Sequence, residues 1–243
     1  MRMLLRIQIL SVLILLGCAG SLLAQTEPPE YRVIRTTDFD PGSPGSAAFW
    51  DKAAWMAVPP LNTALTGYAT RARLLYSDRG LYVQIECQDP LLTAHPRGDF
   101  ESLYLEDVAE VFLQPDPGSP VYFEYEISPF GAEAPLLISN NGNSLSGWTP
   151  WKYGGRKKTA KAVSVRGGRA RPGEKIEGWS AEVFIPYLLL EGLKGCPPSS
   201  GQSWRGNVTR IDYDNGKNHF FSWATLPRPN FHNPPLFGRL VFE

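Results

Sequence analysis

Two glutamates spaced two apart are the first chemistry the chain offers. Between Val121 and Ser128, Phe123, Tyr125 and Ile127 alternate with Tyr122, Glu124, Glu126 and Ser128. That is the period of a strand with one face in a core. With the Phe123 face inward, Glu124 and Glu126 stand on the outer, concave surface, as ligand-binding acids or as charges on a solvated strand. Arg210 alternates with Val208 and Asp212. Its fork of donors suits hydroxyl groups, or a cross-strand ion pair with Glu124 or Glu126. Trp148 and Trp151 lie in Gly147-Trp-Thr-Pro-Trp-Lys-Tyr153, after the polar run from Ser139 to Ser146. They read as loop tryptophans that either contact a ligand or pin the loop to the body. Exposed rings beside acids and an arginine are what a sugar requires. A ring covers the sugar's axial C–H face, and polar groups take its hydroxyls.

Other chemistries fit less well. A glycoside hydrolase on a jelly-roll sandwich needs two carboxylates astride the scissile bond. The laminarinase-type pattern puts acids at i, i+2 and i+4 of one strand. Here Glu106, Val108 and Glu110 share a face while Asp107 points away, so the middle acid is missing. A haem site would need an axial Met or a His pair, and beyond the leader Met56 is the only methionine. His95 and His219 show no partner in sequence and read as core or surface residues. No Ser-His-Asp order, phosphate loop, nucleotide fingerprint or Cys/His zinc cluster is present. Asp78, Asp89, Asp99 and Asp107 are oxygen donors near loops, and Asp212, Asp214 and Asn215 form a second group. None has EF-hand spacing, and each residue suits a turn or a surface equally.

The elements that must hold these residues are strands. Gly and Pro together account for 45 of 243 residues, which breaks long helices and favours short strands joined by turns. Strands are expected at 71–76, 81–88, 108–113, 121–128, 158–166, 179–185, 204–213, 219–224 and 238–242. Ser77-Asp78-Arg79-Gly80 is a hairpin turn between the first two. Helix is expected only in short pieces, at 46–55 and 187–193. Trp50, Trp179, Trp204 and Trp223 belong to the core. The fold class is all-β, an Ig-like or jelly-roll antiparallel sandwich, forming one domain over 31–243 after a 25–30 linker.

Residues 1–24 read as a signal peptide. Arg2 and Arg6 precede the apolar run from Ile7 to Leu16, which is short for a membrane span. Cleavage after Ala24 competes with a lipobox ending at Cys18, whose lipid would be the only membrane attachment. Either cut implies export: periplasmic, secreted or outer-surface. Cys87 and Cys196 then remain, as two thiols or as a disulfide. With 24 basic and 24 acidic residues, no nucleic-acid partner is expected, and the protein is expected to be a monomer.

Several segments in order resemble the family-9-type carbohydrate-binding modules of the DOMON-like sandwich group. They are Phe49-Trp50-Asp51 with Ala54; Leu74 to Asp89; Glu106 to Leu113; Tyr122 to Gly131; and Gly178-Trp179 with Glu182 and Ile185-Pro186. Trp204-Arg205-Gly206-Asn207 with Arg210, Ser222-Trp223, His232-Asn233-Pro234 and Phe237-Gly238 complete the pattern. The resemblance implies a stand-alone β-sandwich that binds a polysaccharide or glycan end without cleaving it, with structural calcium in some relatives. A haem-binding DOMON-type protein is the related alternative. In that family two aromatic side chains clamp the terminal sugar, and their positions fall on Tyr104 and Phe231, where relatives commonly carry Trp. His232 would then stand at the mouth of the site, with Glu124, Glu126 and Arg210 as polar neighbours.

Overall fold

The computed structural model describes residues 27–61, 65–140 and 145–243. The leader and Cys18 lie outside the described residues. The chain forms β1 (Glu30–Arg35), β2 (Met56–Ala57), β3 (Thr70–Tyr76), β4 (Gly80–Gln88), β5 (Val108–Gln114), β6 (Val121–Ile127), β7 (Glu133–Asn140) and β8 (Leu145–Pro150). There follow β9 (Ala160–Arg166), β10 (Gly178–Pro186), β11 (Ser203–Asp214), β12 (Lys217–Ser222) and β13 (Gly238–Phe242). Among the described residues helix is confined to short 3-10 segments, one of them at Ala48–Lys52 inside the expected 46–55. The expected helix at 187–193 is a run of turns instead. Among the described residues no helix is long and apolar enough to cross a membrane.

The strands curl into two facing half-sheets. One runs β8-β7-β6-β5-β11-β13, with β12 beside β11; the other runs β3-β4-β10-β9, with β2 beside β3. β1 joins them, and it departs from the antiparallel expectation. It runs parallel to β13 from Glu30 opposite Arg239 to Val33 opposite Phe242, and parallel to β3 at Ile34 and Arg35. β1, β7 and β8 were not legible as strands. β7 holds Pro135, and β8 holds Gly147 and Pro150, residues that normally argue against a strand.

The main core lies between the half-sheets. Leu74, Val83, Ile85 and Trp179 from one side meet Val111, Phe123, Tyr125 and Val208 from the other. Trp50, Trp179 and Trp204 are buried, as their positions suggest. At Gly178 a Cβ would sit 2.1 Å from the Cys87 carbonyl oxygen, so only glycine lets β10 lie that close to β4. Cys87 and Cys196 are separate thiols, and burial pushes both up to about 12.

A second apolar cluster covers the outer face of the first half-sheet. Val108, Phe112, Tyr122, Ile138 and Ile211 project from the strands, and Leu103, Leu226, Phe231 and Phe237 come from the connections laid over them. This cover makes the outer face of β6 something other than a solvated strand.

Candidate functional site

Strand parity assembles the site. Glu110 on β5 is directly opposite Glu126 on β6, and Thr209 on β11 lies on the other side of Glu110. Glu124, two residues along β6, shares their face and is opposite Phe112. On the next strands the same face carries Ala134, Leu136 and Ile138, with Trp148 opposite Ile138. The three glutamates, Ala134, Leu136, Ile138 and Trp148 line a cavity of about 380 Å³, which Tyr104, Phe231 and His232 close from the connections. Tyr104 stands on the 3-10 turn Leu103–Leu105, where its carbonyl accepts from the Tyr213 hydroxyl at 2.9 Å. Phe231 packs edge-on against Phe220, with centroids 5.9 Å apart. Asn140 Nδ2 donates to the His232 carbonyl at 2.8 Å, and His232 Nδ1 meets the Tyr122 hydroxyl at 2.9 Å.

The floor is acidic. Glu110, Glu124 and Glu126 are at most 3% exposed, and one carboxyl oxygen from each lies within 4.8 Å of the others. The Thr209 hydroxyl donates to Glu110 at 2.5 Å. Burial pushes all three acids up; Glu110 and Glu126 raise Glu124 further, and Glu110 raises Glu126. The backbone amides of Leu103 and Tyr104 partly offset the effect at Glu126. Glu124 Oε2 and Glu126 Oε2 make no hydrogen bond. Burial holds His232 below the usual histidine range. Glu124 and Glu126 therefore stand on the outer face, as their parity requires, but under a roof rather than in solvent.

The walls are apolar and partly open. Trp148 is 59% exposed and Tyr104 46%. Tyr104, Leu145 and Trp148 are among the few large apolar side chains left exposed among the described residues, and all three border this cavity. Such clustering marks a binding surface more than scattered exposed residues do. Trp148 lies on an edge strand, where a loop was expected. Glu110, Phe100 and Ser102 also line the cavity and were not foreseen as ligand contacts. The alternation of Val108, Glu110 and Phe112 on one face was the available signal for Glu110.

Two candidates belong elsewhere. Arg210 is opposite Ala109 and faces the inter-sheet core, fully buried. It cannot reach Glu124 or Glu126, because its neighbour Thr209 is the residue that faces them. Its guanidinium instead donates to Asp212, pairs with Asp89 at 3.0 Å, donates to the Gln88 carbonyl at 2.7 Å and lies over the Phe221 ring. Trp151, three residues beyond Trp148, turns to the opposite side. It packs on the inter-sheet core, and its Nε1 donates to the Leu189 carbonyl at 2.7 Å. Of the two roles open to it, the pinning one is what the structure shows.

The other chemistries resolve in the same terms. Asp89, Asp107 and Asp212 converge, but the Arg210 guanidinium stands with Asp89 and Asp212. Asp107 accepts the amides of Thr93 at 2.6 Å and Tyr213 at 2.8 Å. Calcium needs six to eight oxygens; this group offers three carboxyl groups beside a guanidinium, and Asp212 Oδ1 makes no hydrogen bond. Asp78 pairs with Arg35 and Asp99 with Lys161, while Asn215 makes the β11–β12 turn at a φ of 52°. Met56 is buried in the core, and His95 pairs with Glu106 on the surface. The three clustered glutamates rise from neighbouring strands of one half-sheet, not from opposite sides of a cleft.

Residues 44–139 match the family model described as carbohydrate family 9 binding domain-like. Among solved structures, the chain is similar to a putative carbohydrate-binding protein from Bacteroides uniformis. The identity is 16%, over 89% of this chain and 100% of that one, with a TM-score of 0.67. It is also similar to a family 9 carbohydrate-binding module from Caldicellulosiruptor kristjanssonii, in complex with cellotriose (16% identity, 88% and 93% of the chains, TM-score 0.60) and with glucose (17%, 88% and 95%, 0.61). At such identity these likenesses establish the fold. A sequence comparison with curated proteins gives no match.

Proposed function

We propose, from the match of residues 44–139 to the carbohydrate family 9 binding domain-like model, that this chain binds carbohydrate without cleaving it, in the cavity roofed by Tyr104 and Phe231. The carrying observation is the cavity's make-up. Rings of three aromatic residues, Tyr104, Trp148 and Phe231, surround a floor of glutamates. Its volume falls within the range of small-molecule sites, roughly 300–1,000 Å³. An exposed ring offers a sugar's C–H face a dry surface, and the carboxyl groups below take its hydroxyls. The same likeness that gives the fold includes a module holding cellotriose and one holding glucose, which supports a glucan end as the first ligand to try.

Titration calorimetry with glucose, cellotriose and soluble polysaccharides tests this reading. Binding is expected, with no reducing sugar released over buffer on incubation. Release that Glu124→Gln or Glu126→Gln abolishes would replace binding with hydrolysis.

The reading extends to the whole protein. The charged, apolar leader supports export, with mature chains starting at Gln25 or at a lipidated Cys18; mass spectrometry of native protein distinguishes the two. The Arg210 guanidinium between Asp89 and Asp212 supports a fold that stands without calcium, so a chelator is expected to leave the melting temperature unchanged. A monomer is expected in sedimentation.

A further inference from the structure

The cavity floor carries more carboxyl groups than a neutral sugar needs. Glu110, Glu124 and Glu126 are joined in the lining by Glu101, and no Lys or Arg lines the cavity. The basic group in the lining, His232, has its Nδ1 on the Tyr122 hydroxyl and 3.9 Å from Glu124 Oε2, and burial keeps it toward its neutral form. Contrast the aspartates of the inter-sheet core, which hold the Arg210 guanidinium among them. The same fold thus sets a guanidinium in one buried acidic cluster and no Lys or Arg in the other. Moreover, Glu124 Oε2 and Glu126 Oε2 are buried, lack any hydrogen-bond donor, and line the cavity. With no Lys or Arg beside them, burial holds these carboxyl groups toward their protonated form, and a bound cation with donors of its own favours their ionised form.

We propose that this site takes a cationic amino sugar in preference to its neutral counterparts. The inference rests on the carbohydrate reading above and names the ligand class within it. An ammonium group brings three N–H donors and a positive charge on one atom, which matches three carboxylates that share a space within 4.8 Å. The sugar ring that carries it needs the aromatic walls, and Trp148 and Tyr104 supply them. An acetylated amine keeps one donor and loses the charge, so it leaves the floor unmatched and adds bulk against it. A hydroxyl in place of the amine offers one donor to three acceptors.

Calorimetry on the full chain at about pH 6, where an amine is a cation, compares glucosamine, glucose and N-acetylglucosamine, each with a chelator present. Glucosamine is expected to bind at least about tenfold tighter than either neutral sugar, the scale of one hydrogen bond to a charged group. In Glu124→Gln and Glu126→Gln, which keep the side-chain shape, that preference is expected to fall below about threefold. Thermal melting checks that both variants are folded. Should one fail to fold, the other carries the test, and the glucosamine-to-glucose ratio of the wild-type chain decides independently of both. Glucose binding as tightly as glucosamine would overturn this inference and leave the carbohydrate reading intact. Binding of none of the three would overturn both. Glucose affinity that appears with calcium and vanishes with chelator would overturn the inference by giving the glutamates a metal instead of an amine.

Discussion

Tyr104, Trp148 and Phe231 contribute differently because their burial differs. Trp148 and Tyr104 keep about half their surface in solvent, whereas Phe231 is 8% exposed and belongs to the outer apolar cluster. Trp148→Ala and Tyr104→Ala should weaken sugar binding by about 1–3 kcal/mol, the value of covering one large apolar side chain, or roughly one to two decades in Kd. Their melting temperatures should hardly move. Phe231→Ala should lose affinity and also stability, by roughly 3 kcal/mol or more for a large ring removed from a packed cluster. Trp151→Ala should lower the melting temperature and leave affinity unchanged, since its ring serves the inter-sheet core. Calorimetry and thermal melting on the four variants separate these outcomes; unchanged affinity in Trp148→Ala with lost affinity in Trp151→Ala would move the site. At Arg210 the expectation is purely structural. Arg210→Met leaves Asp89 and Asp212 without their cation, and losing one partner of a buried pair costs roughly 3–5 kcal/mol. Urea unfolding should show that loss, while the folded fraction should bind sugar as the wild type does.

Individual strands divide the labour between closure and presentation. β1 is the piece that makes two half-sheets one, because it alone pairs with both β13 and β3. A chain beginning at Thr36 would leave β13 and β3 with open edges, and unpaired edges invite association with other chains. Such a variant is expected to melt at a lower temperature and to elute as larger species in size-exclusion chromatography; a monomer of wild-type stability would show that β1 is dispensable. β8 does the opposite kind of work. Its side chains are mostly exposed, so it adds little to the core. Its pairing with β7 sets Trp148 opposite Ile138, in line with Tyr122. A shift of one residue would turn Trp148 out of the site.

The whole molecule responds to pH through the acids it hides. Burial lifts Glu110 to about 7 and Glu126 to about 9 from an ordinary 4.5. The folded protein therefore holds protons that the unfolded chain releases above about pH 4.5. By linkage, stability from these groups is fully present below that value and is lost as pH rises through about 7 and then about 9. The melting temperature should fall between pH 5 and pH 9, and Glu126→Gln should flatten that fall because the amide has no proton to lose. Calorimetric melting across this range measures it; a melting temperature that rises with pH would mean that the floor is already neutralised.

Alternation alone determined much of this molecule. In β6 it put Phe123, Tyr125 and Ile127 in the core and Glu124 and Glu126 on the other face, because strand geometry leaves no third direction. The same rule gave the hairpin of β3 and β4, and the spacing of turns gave the all-β class. Alternation also held the information that Arg210 and Glu126 are on opposite faces, but only once β5 is known to lie between β6 and β11, with Ala109 opposite Arg210. Which strands neighbour one another is a tertiary choice. So is the roof of residues 100–104 and 226–237, which turns an outer sheet face into an enclosed acidic floor; nothing in the sequence around Glu124 reports what will lie above it. β7 and β8 were hidden because Pro135, Gly147 and Pro150 are tolerated where pairing and packing on neighbouring strands outweigh local preference. The division between Trp148 and Trp151 follows the same logic: their odd spacing separates their faces only after the segment has become a strand, and it becomes one only against β7.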